Sequence, residues 1–287
     1  MGFCLYCRRR DEEPGSPPLA RCTGCYQYSY CDPTCQKADR HKHKSFCDRT
    51  RKEMAVPAPM KHDPVWDATA LRADAERGNP WSQGRLGICY EHGIGGVAVD
   101  FEESLRWYRR AAASPHPLPW DVHNYACSLY WGRGTSPDHT SAAQLFQRLA
   151  NEGFAPSQTM LGYCYRRGHG VPYDAAKGFA WLKRAADAGY ASAINSVGVS
   201  LRMGFGVGRD DVRAVECFRA AADAGDTSAM RNLAKCCWQG VGMKKDVAEA
   251  VALLERARDA GDASAVKALA AIAAGMPTPP ISDEETA

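Results

Sequence analysis

The segment LGYCYRRGHGVPYDAAKGFAWLKRAADAG, residues 161–189, contains two apolar stripes of helical spacing separated by a Gly-x-Gly turn. Asp174 stands just before the second stripe, where its carboxylate can accept hydrogen bonds from the free N–H groups at the start of a helix. Gly189 closes the segment, at a position suited to the left-handed conformation that follows many helix ends. The pattern predicts two helices joined by a short turn.

This segment recurs along the chain. Its closing glycines are spaced by 36 residues, at Gly153, Gly189, Gly225 and Gly261. A fixed period of this length indicates a stacked array of supersecondary units. We predict five units over residues 79–261, a helix at 67–78 before them and a half-unit at 262–275 after them. The glycines expected to end the first helices are Gly93, Gly132, Gly168, Gly204 and Gly240. A second glycine follows each of them two places later, at Gly95, Gly134, Gly170, Gly206 and Gly242. The aspartates expected to cap the second helices are Asp100, Asp138, Asp174, Asp210 and Asp246.

Each predicted second helix carries one apolar stripe. Large apolar side chains stand eight and seven places before the closing glycine, and a small or aliphatic one stands four places before it. Trp107 and Trp181 are expected at matching core positions. Cys89, Cys164 and Cys236 share one register on the first helices, so we interpret them as small buried residues and not as metal ligands or redox centres.

The repeat pattern resembles the Sel-one-like repeats, a helix-pair solenoid related to tetratricopeptide repeats. The resemblance implies a scaffold for protein partners. Two units depart from the pattern: SPHPLPWD at 114–121 lengthens one turn, and Tyr125-Ala126 replaces the usual Leu-Gly. The glycine-rich GFGVG at 204–208 is interpreted as a helix–helix turn and not as a phosphate-binding loop, because the same glycines recur in register in other units.

The first fifty residues have a different composition. Residues 1–52 hold 11 Lys+Arg against 6 Asp+Glu, whereas residues 53–287 hold 25 against 27, and 7 of the 13 cysteines precede residue 48. The sequence shows no secretory h-region at its start and no run of eighteen apolar residues. We therefore expect a soluble protein, cytoplasmic and/or nuclear, in which reduced thiols bind metal.

The cysteines and one histidine form four pairs, Cys4-x2-Cys7, Cys22-x2-Cys25, Cys31-x3-Cys35 and His43-x3-Cys47. Eight thiolate and imidazole ligands suit two tetrahedral zinc ions. The last two pairs have i,i+4 spacing, which predicts helix. In one continuous helix over 33–47, positions 35 and 43 would stand about 12 Å apart, so each helical pair would share its ion with an upstream pair. The spacing alone leaves open which upstream pair goes with which.

Residues 4–47 resemble a MYND-type zinc finger in the order of the ligands and in Tyr30-Cys31, Cys35-Gln36-Lys37 and His43-Lys44. HIT-type and RING fingers fit this series less well. The resemblance implies interleaved Zn²⁺ sites, one with Cys4, Cys7, Cys31 and Cys35, the other with Cys22, Cys25, His43 and Cys47. It also implies a peptide-binding surface, here with Tyr30, Gln36 and Arg40. Arg40 occupies the place of the family's Trp, so we expect weak binding of Pro-rich peptides.

The predicted fold class is mostly α, a small two-zinc MYND finger followed by an α-solenoid of helix-pair repeats. The predicted domains are the finger at 1–52, a Pro-containing linker at 53–66, the array at 67–275 and a disordered acidic tail at 276–287.

The chain contains no G-x-S-x-G, Walker A or H-E-x-x-H signature, and the array leaves no room for the methyltransferase domain that accompanies some MYND fingers. We predict a zinc-binding scaffold or adaptor without enzymatic activity, whose finger and array each bind proteins or peptides. A nucleic-acid-associated regulator using the basic finger, not favoured, and a substrate adaptor for a modifying enzyme are the alternatives. No membrane partner is expected.

Overall fold

The computed structural model describes residues 20–21, 29–30 and 67–274. Two short antiparallel strands, β1 (Ala20–Arg21) and β2 (Ser29–Tyr30), pair with Ala20 opposite Tyr30. The helices are α1 (Ala68–Glu76), α2 (Pro80–His92), α3 (Phe101–Ala112), α4 (Pro119–Trp131), α5 (His139–Asn151), α6 (Ala155–Arg167), α7 (Ala175–Asp187), α8 (Ala191–Met203), α9 (Asp211–Asp223), α10 (Thr227–Gln239), α11 (Val247–Asp259) and α12 (Ala263–Ala273). The prediction of a mostly α chain built from helix pairs is confirmed.

The chain divides into two compact units. The first contains α1 to α3 and most of α4; the second contains the last turn of α4 and α5 to α12. In the first unit α1 packs against α2, which pairs with α3, around Leu86, Cys89 and Trp107. In the second unit each first helix (α6, α8, α10) pairs with the second helix that follows it, and each second helix packs against the next first helix.

The predicted caps of all five second helices are confirmed. Each of the aspartates at 100, 138, 174, 210 and 246 accepts a hydrogen bond from an N–H of the first helical turn. Each also uses its own N–H to bind a carbonyl of the preceding helix; Asp174, for example, donates to Tyr165 at 2.9 Å. The aspartate therefore starts the second helix and fixes it to the first.

The glycines of the repeat serve two different purposes. Gly206 has a φ of +68°, and a Cβ built on it would lie 2.0 Å from the carbonyl oxygen of Ala175, at the start of the preceding repeat's second helix. Gly225, which follows α9, has a φ of +92° and open space around its Cα. The first glycine is required both for its left-handed conformation and for close backbone contact, the second for conformation alone.

Burial of the second helices follows one register. The residues seven places before the closing glycines, Phe146, Leu182, Phe218 and Leu254, are at most 1% exposed. Of the residues eight places before the closing glycines, Leu145, Trp181 and Cys217 are half-buried, and Leu253 is buried. The prediction for Trp181 is therefore wrong, because its indole is half-buried and stacks under Arg184, whereas Trp107 is fully buried as predicted.

The remaining predictions for the array fare as follows. Cys89, Cys164 and Cys236 are buried as small core residues, which confirms their interpretation. The long turn of the first repeat is present, since α3 ends at Ala112 and α4 begins at Pro119. The linker at 53–66 and the tail at 276–287 lie outside the described residues.

Candidate functional site

The eight predicted zinc ligands lie outside the described residues, as do Gln36, Arg40 and the predicted helix at 33–47. Tyr30 is described through its backbone alone, in β2. The donor set itself fits zinc, because seven thiols and one imidazole are soft ligands sufficient for two closed tetrahedral shells. Within residues 67–274, no group of three or more His, Cys, Asp or Glu side chains is placed to hold a metal ion.

The array cysteines have the properties of buried core thiols. Burial raises the pKa of the Cys89 thiol to about 11 and that of Cys164 to about 12. Burial also raises the pKa of Cys236. These thiols stay protonated at neutral pH, which makes them poor nucleophiles and poor metal ligands.

Charge is distributed unequally between the first and second helices of the second unit. The helices α7, α9 and α11 contain seven cationic and seven acidic residues. The helices α6, α8, α10 and α12 contain no Asp or Glu, and their cationic residues are Arg166, Arg167, Arg202, Arg231, Lys235 and Lys267. The first helices α6, α8, α10 and α12 thus carry a net positive charge, whereas the charges of α7, α9 and α11 sum to zero.

Three of these cations share one helical face with apolar neighbours. At five and two places before the glycine that ends each first helix stand Tyr163 and Arg166, Val199 and Arg202, and Lys235 and Trp238. Residues three apart lie on the same side of a helix, and α8 contacts both α6 and α10. We call these six side chains the cationic face.

Local contacts position the cations of this face. The guanidinium of Arg166 lies 5.0 Å from the ring centre of Tyr163 and 5.5 Å from that of Phe205, within range for cation–π attraction. Arg202 on α8 reaches the thiol of Cys236 on α10, and its charge and hydrogen bond lower the pKa that burial raises. The charge of Lys235 also lowers the pKa of Cys236, by less than that of Arg202.

Buried polar bonds fix the spacing of the first helices near this face. The hydroxyl groups of Tyr163 and Ser196 are 2.5 Å apart, and the Asn232 amide donates to Asn195 Oδ1 at 2.9 Å. Arg231 forms a buried ion pair with Asp262, with 2.9 Å between Nε and Oδ2. The first two bonds each join two successive first helices, and the ion pair joins α10 to the residue that caps the start of α12. A buried polar group without a partner would cost about 1–3 kcal/mol, so these bonds favour a single register.

Sequence reasoning did not identify this polar layer or the cationic face. The signal that could have found both is the register itself. Counted from the glycine that ends each first helix, Asn195 and Arg231 stand nine places before it, whereas Arg166 and Arg202 stand two places before it.

Two further polar clusters lie outside this face. In the first unit, burial raises the pKa of Asp121 from its ordinary value of 3.8 to about 7, and the Tyr108 hydroxyl donates to Glu91 at 2.7 Å. In the second unit, the rings of His139 and His169 stack with centres 4.4 Å apart, and His169 Nδ1 lies 3.0 Å from the Tyr130 hydroxyl. Burial, with the nearby His139 and Arg167, lowers the pKa of His169.

No helix within residues 67–274 is both long and apolar enough to cross a membrane.

Parts of the chain are similar to known proteins, and a solved structure shares its fold. The chain is 30% identical over 101 residues to chitin synthase regulatory factor 3 of Schizosaccharomyces pombe and 31% identical over 103 residues to the uncharacterized protein NMB1327 of Neisseria meningitidis serogroup B. The matches cover 35% and 36% of this chain but only 11% and 20% of those relatives. The crystal structure of a Sel1 repeat protein from Oxalobacter formigenes superposes with a TM-score of 0.57 at 23% identity, covering 89% of this chain and 94% of that one.

Two family descriptions match the chain. The MYND finger matches residues 4–47, which confirms the resemblance of the N-terminal cluster. The Sel1 repeat matches residues 82–116, 122–154, 155–190, 191–226 and 227–262, five units that together cover more than half of the chain. Both are protein-interaction modules. With helix pairs, caps and glycines in the register described above, the chain belongs to the Sel1 repeat family and carries a MYND finger before its repeats.

Proposed function

We propose that this protein is a zinc-dependent interaction scaffold or adaptor, in which the finger and the repeat array each bind a protein or peptide. The observation that carries the proposal is the joining of two interaction modules in one chain, a finger at residues 4–47 and five repeats at 82–262. The cationic face supports it, because it aligns equivalent positions of three successive repeats, as a surface for an extended ligand requires. The proposed role needs no catalytic group, and the proposed location is cytoplasmic and/or nuclear.

In this proposal the finger binds two zinc ions, one through Cys4, Cys7, Cys31 and Cys35, the other through Cys22, Cys25, His43 and Cys47. Zinc would be structural here, holding together a segment too short to be stabilised by apolar burial. The +5 balance of residues 1–52 favours acidic partners for the finger, and it is also what supports the alternative of nucleic-acid binding. A nucleic-acid complex would lose affinity steeply as salt is raised, in proportion to the phosphates contacted.

The experiment that tests the proposal is affinity capture with the full-length chain, followed by reconstitution with each purified partner. Cys31→Ser removes one predicted zinc ligand, and Cys217→Ser makes the same change at a half-buried cysteine of the array. We expect partners of the finger to be lost with Cys31→Ser and retained with Cys217→Ser, while partners of the array survive both changes. If no purified protein bound the full chain directly, or if nucleic acid bound it more tightly than any protein, the proposed function would be wrong.

A further inference from the structure

We propose that the exposed apolar face of α12 docks an amphipathic helix of a partner protein, a helix with leucines along one side and a basic residue in its first turn. This proposal rests on the proposed interaction function and adds to it a surface and the chemistry of the partner. The side chains concerned, which we call the α12 face, are Val266, Leu269, Ala270, Ile272 and Ala273.

The same five positions are covered in the preceding repeat. Their equivalents on α10, each 36 residues earlier, are Met230, Leu233, Ala234, Cys236 and Cys237. All five equivalents are at most 5% exposed, in one core cluster with the leucines of α11. On α12, Val266 is 49% exposed, Ala270 and Ala273 are also exposed, and Leu269 and Ile272 are half-buried. Among residues 67–274, no helix covers α12 in the way that α11 covers α10.

The complete repeats show what kind of side chain covers this face. A Cβ built on Gly162 of α6 would lie 2.7 Å from Leu182 of α7, and one built on Gly198 of α8 would lie 2.7 Å from Phe218 of α9. Ala270 stands at the equivalent position of α12, 72 residues after Gly198. On α10, which like α12 has alanine at this position, the covering helix is α11 and its large buried side chains are leucines. An amphipathic helix with a similar row of leucines therefore fits the α12 face.

Charge beside the α12 face favours a basic residue in the docked helix. Neighbouring second helices are joined by an ion pair, in which Arg219 of α9 lies 3.0 Å from Glu249 in the first turn of α11. Glu255 occupies the position of Arg219 one repeat later, and it is exposed. A helix docked next to α11 in the same register would bring its own first turn to Glu255. A Lys or Arg there would restore the ion pair with its charges exchanged.

Two cations follow Glu255 on α11, and each has another main partner. Arg256 donates to the Ala222 carbonyl at 3.4 Å. Arg258 pairs with Asp259, with 2.8 Å between Nη2 and Oδ1, and interacts more weakly with Glu255. The carboxylate of Glu255 is therefore the charge that a docked helix would meet at this point.

The chain's own residues beyond α12 have the wrong charge for this place. Glu285 stands 36 residues after Glu249, so a further second helix in the register of the others would bring it next to Glu255. Asp283 and Glu284 would add two more negative charges to the same turn. Because like charges repel, a basic helix of a partner suits the α12 face better than this acidic segment does.

The test is fluorescence anisotropy with the full-length, zinc-loaded chain and a labelled peptide that copies residues 246–261, the sequence of α11, with the change Glu249→Arg. We expect this peptide to bind at least threefold more tightly than the same peptide with Glu249 retained. The chain variant Glu255→Lys should reverse that order. Helicity of the free peptides would act in the opposite direction, because an acidic residue in the first turn stabilises a helix.

The variant Ala270→Gln tests the face itself, because a longer side chain keeps a docked helix from close approach. We expect it to weaken peptide binding at least tenfold. The matched control is Ala180→Gln, the same change at an exposed alanine of α7, and it should alter the affinity less than twofold. Circular dichroism should show equal helicity for both variants, since neither alanine is in the core.

Weaker binding with Ala270→Gln alone, together with the reversal by Glu255→Lys, supports the proposal. Equal weakening by the two Gln variants overturns it, as does an unchanged order of the peptides with Glu255→Lys. It is also overturned if a chain lacking residues 276–287 binds the peptide at least tenfold more tightly, since the chain's own segment would then occupy the face. Sedimentation that shows a dimer dissociated by Ala270→Gln overturns it too, since the occupant would then be a second copy.

The proposed function is tested apart from this surface. If the peptide fails to bind while purified protein partners still bind the full chain, the assignment of the α12 face is wrong and the scaffold proposal stands. If no purified protein binds the full chain, the scaffold proposal fails with it.

Discussion

The carboxyl group of Asp121 is buried in the first unit, where its ionised form is poorly solvated. The side chain is 6% exposed, its Oδ2 has no hydrogen-bond partner, and its Oδ1 fills the space where a Cβ on Gly84 would lie. Burial raises its pKa from 3.8 to about 7. The Asp121 carboxyl therefore binds its proton more tightly in the folded state than in the unfolded chain. The stability that the protonated Asp121 contributes below about pH 4 is lost as the pH rises through 7.

We predict that Asp121→Asn removes this pH dependence, because the amide has the same shape and no charge. Each pKa unit corresponds to about 1.4 kcal/mol, so the variant should gain up to about 4 kcal/mol over the wild type between pH 4 and pH 8. Urea unfolding at each pH measures the difference. The control is Asp187→Asn, an exposed carboxylate paired with Lys183. A gain that did not change with pH, or one equal to the control's, would show that Asp121 is not the titrating group.

At the finger, Arg40 occupies the position at which the MYND resemblance calls for Trp. A guanidinium and its alkyl stem offer less rigid apolar area than an indole to the flat polyproline conformation. We predict that Arg40→Trp strengthens binding to Pro-rich peptides at least tenfold and leaves zinc content unchanged, as measured by titration calorimetry and metal analysis. Micromolar binding by the native chain, together with no change on substitution, would contradict this.

At the scale of the element, the turn between two helices depends on glycines that are not equivalent. We predict that Gly225→Ala costs about 1–2 kcal/mol in the free energy of unfolding, which is the strain of a left-handed alanine. Gly206→Ala should cost more than about 3 kcal/mol, because its Cβ would also meet the Ala175 carbonyl at 2.0 Å and force the repeats apart. Urea unfolding followed by circular dichroism compares the two. Equal costs would mean that the close contact is relieved without loss of packing.

Features that depend on residues close together in the sequence were predictable, whereas features that depend on distant residues were not. The caps and turns were predictable because Asp174 and Gly168 act on atoms only a few residues away. The partial exposure of Trp181 was not predictable from the sequence, because the neighbouring Leu182 takes the core position. The cationic face depends on side chains 33 to 36 residues apart being brought side by side, so the register shows it only once the helices are stacked. The finger ligands are predicted from their spacing, and both the ligands and their pairing stay predictions.

At the scale of the whole molecule, the finger and the array should depend on different sources of stability. Residues 4–47 hold all eight proposed ligands, and two structural zinc sites can each contribute about 10–16 kcal/mol to folding. The array buries its own apolar stripes, with Phe146, Leu182, Phe218 and Leu254 almost wholly shielded from solvent. Zinc removal should therefore unfold one part of the chain and leave the other intact.

We predict that a zinc chelator makes residues 1–52 sensitive to protease while the helical circular dichroism signal of the array is retained. Metal analysis before chelation should give two zinc ions per chain, and Cys31→Ser should lower this to one, because only the shell with Cys4, Cys7 and Cys35 loses a ligand. Mass spectrometry of the protected fragment should locate its start beyond residue 52. One zinc ion per native chain would refute the two-site finger. Loss of array helicity in parallel with zinc would refute the independence of the two parts, since apolar packing of the repeats requires no metal.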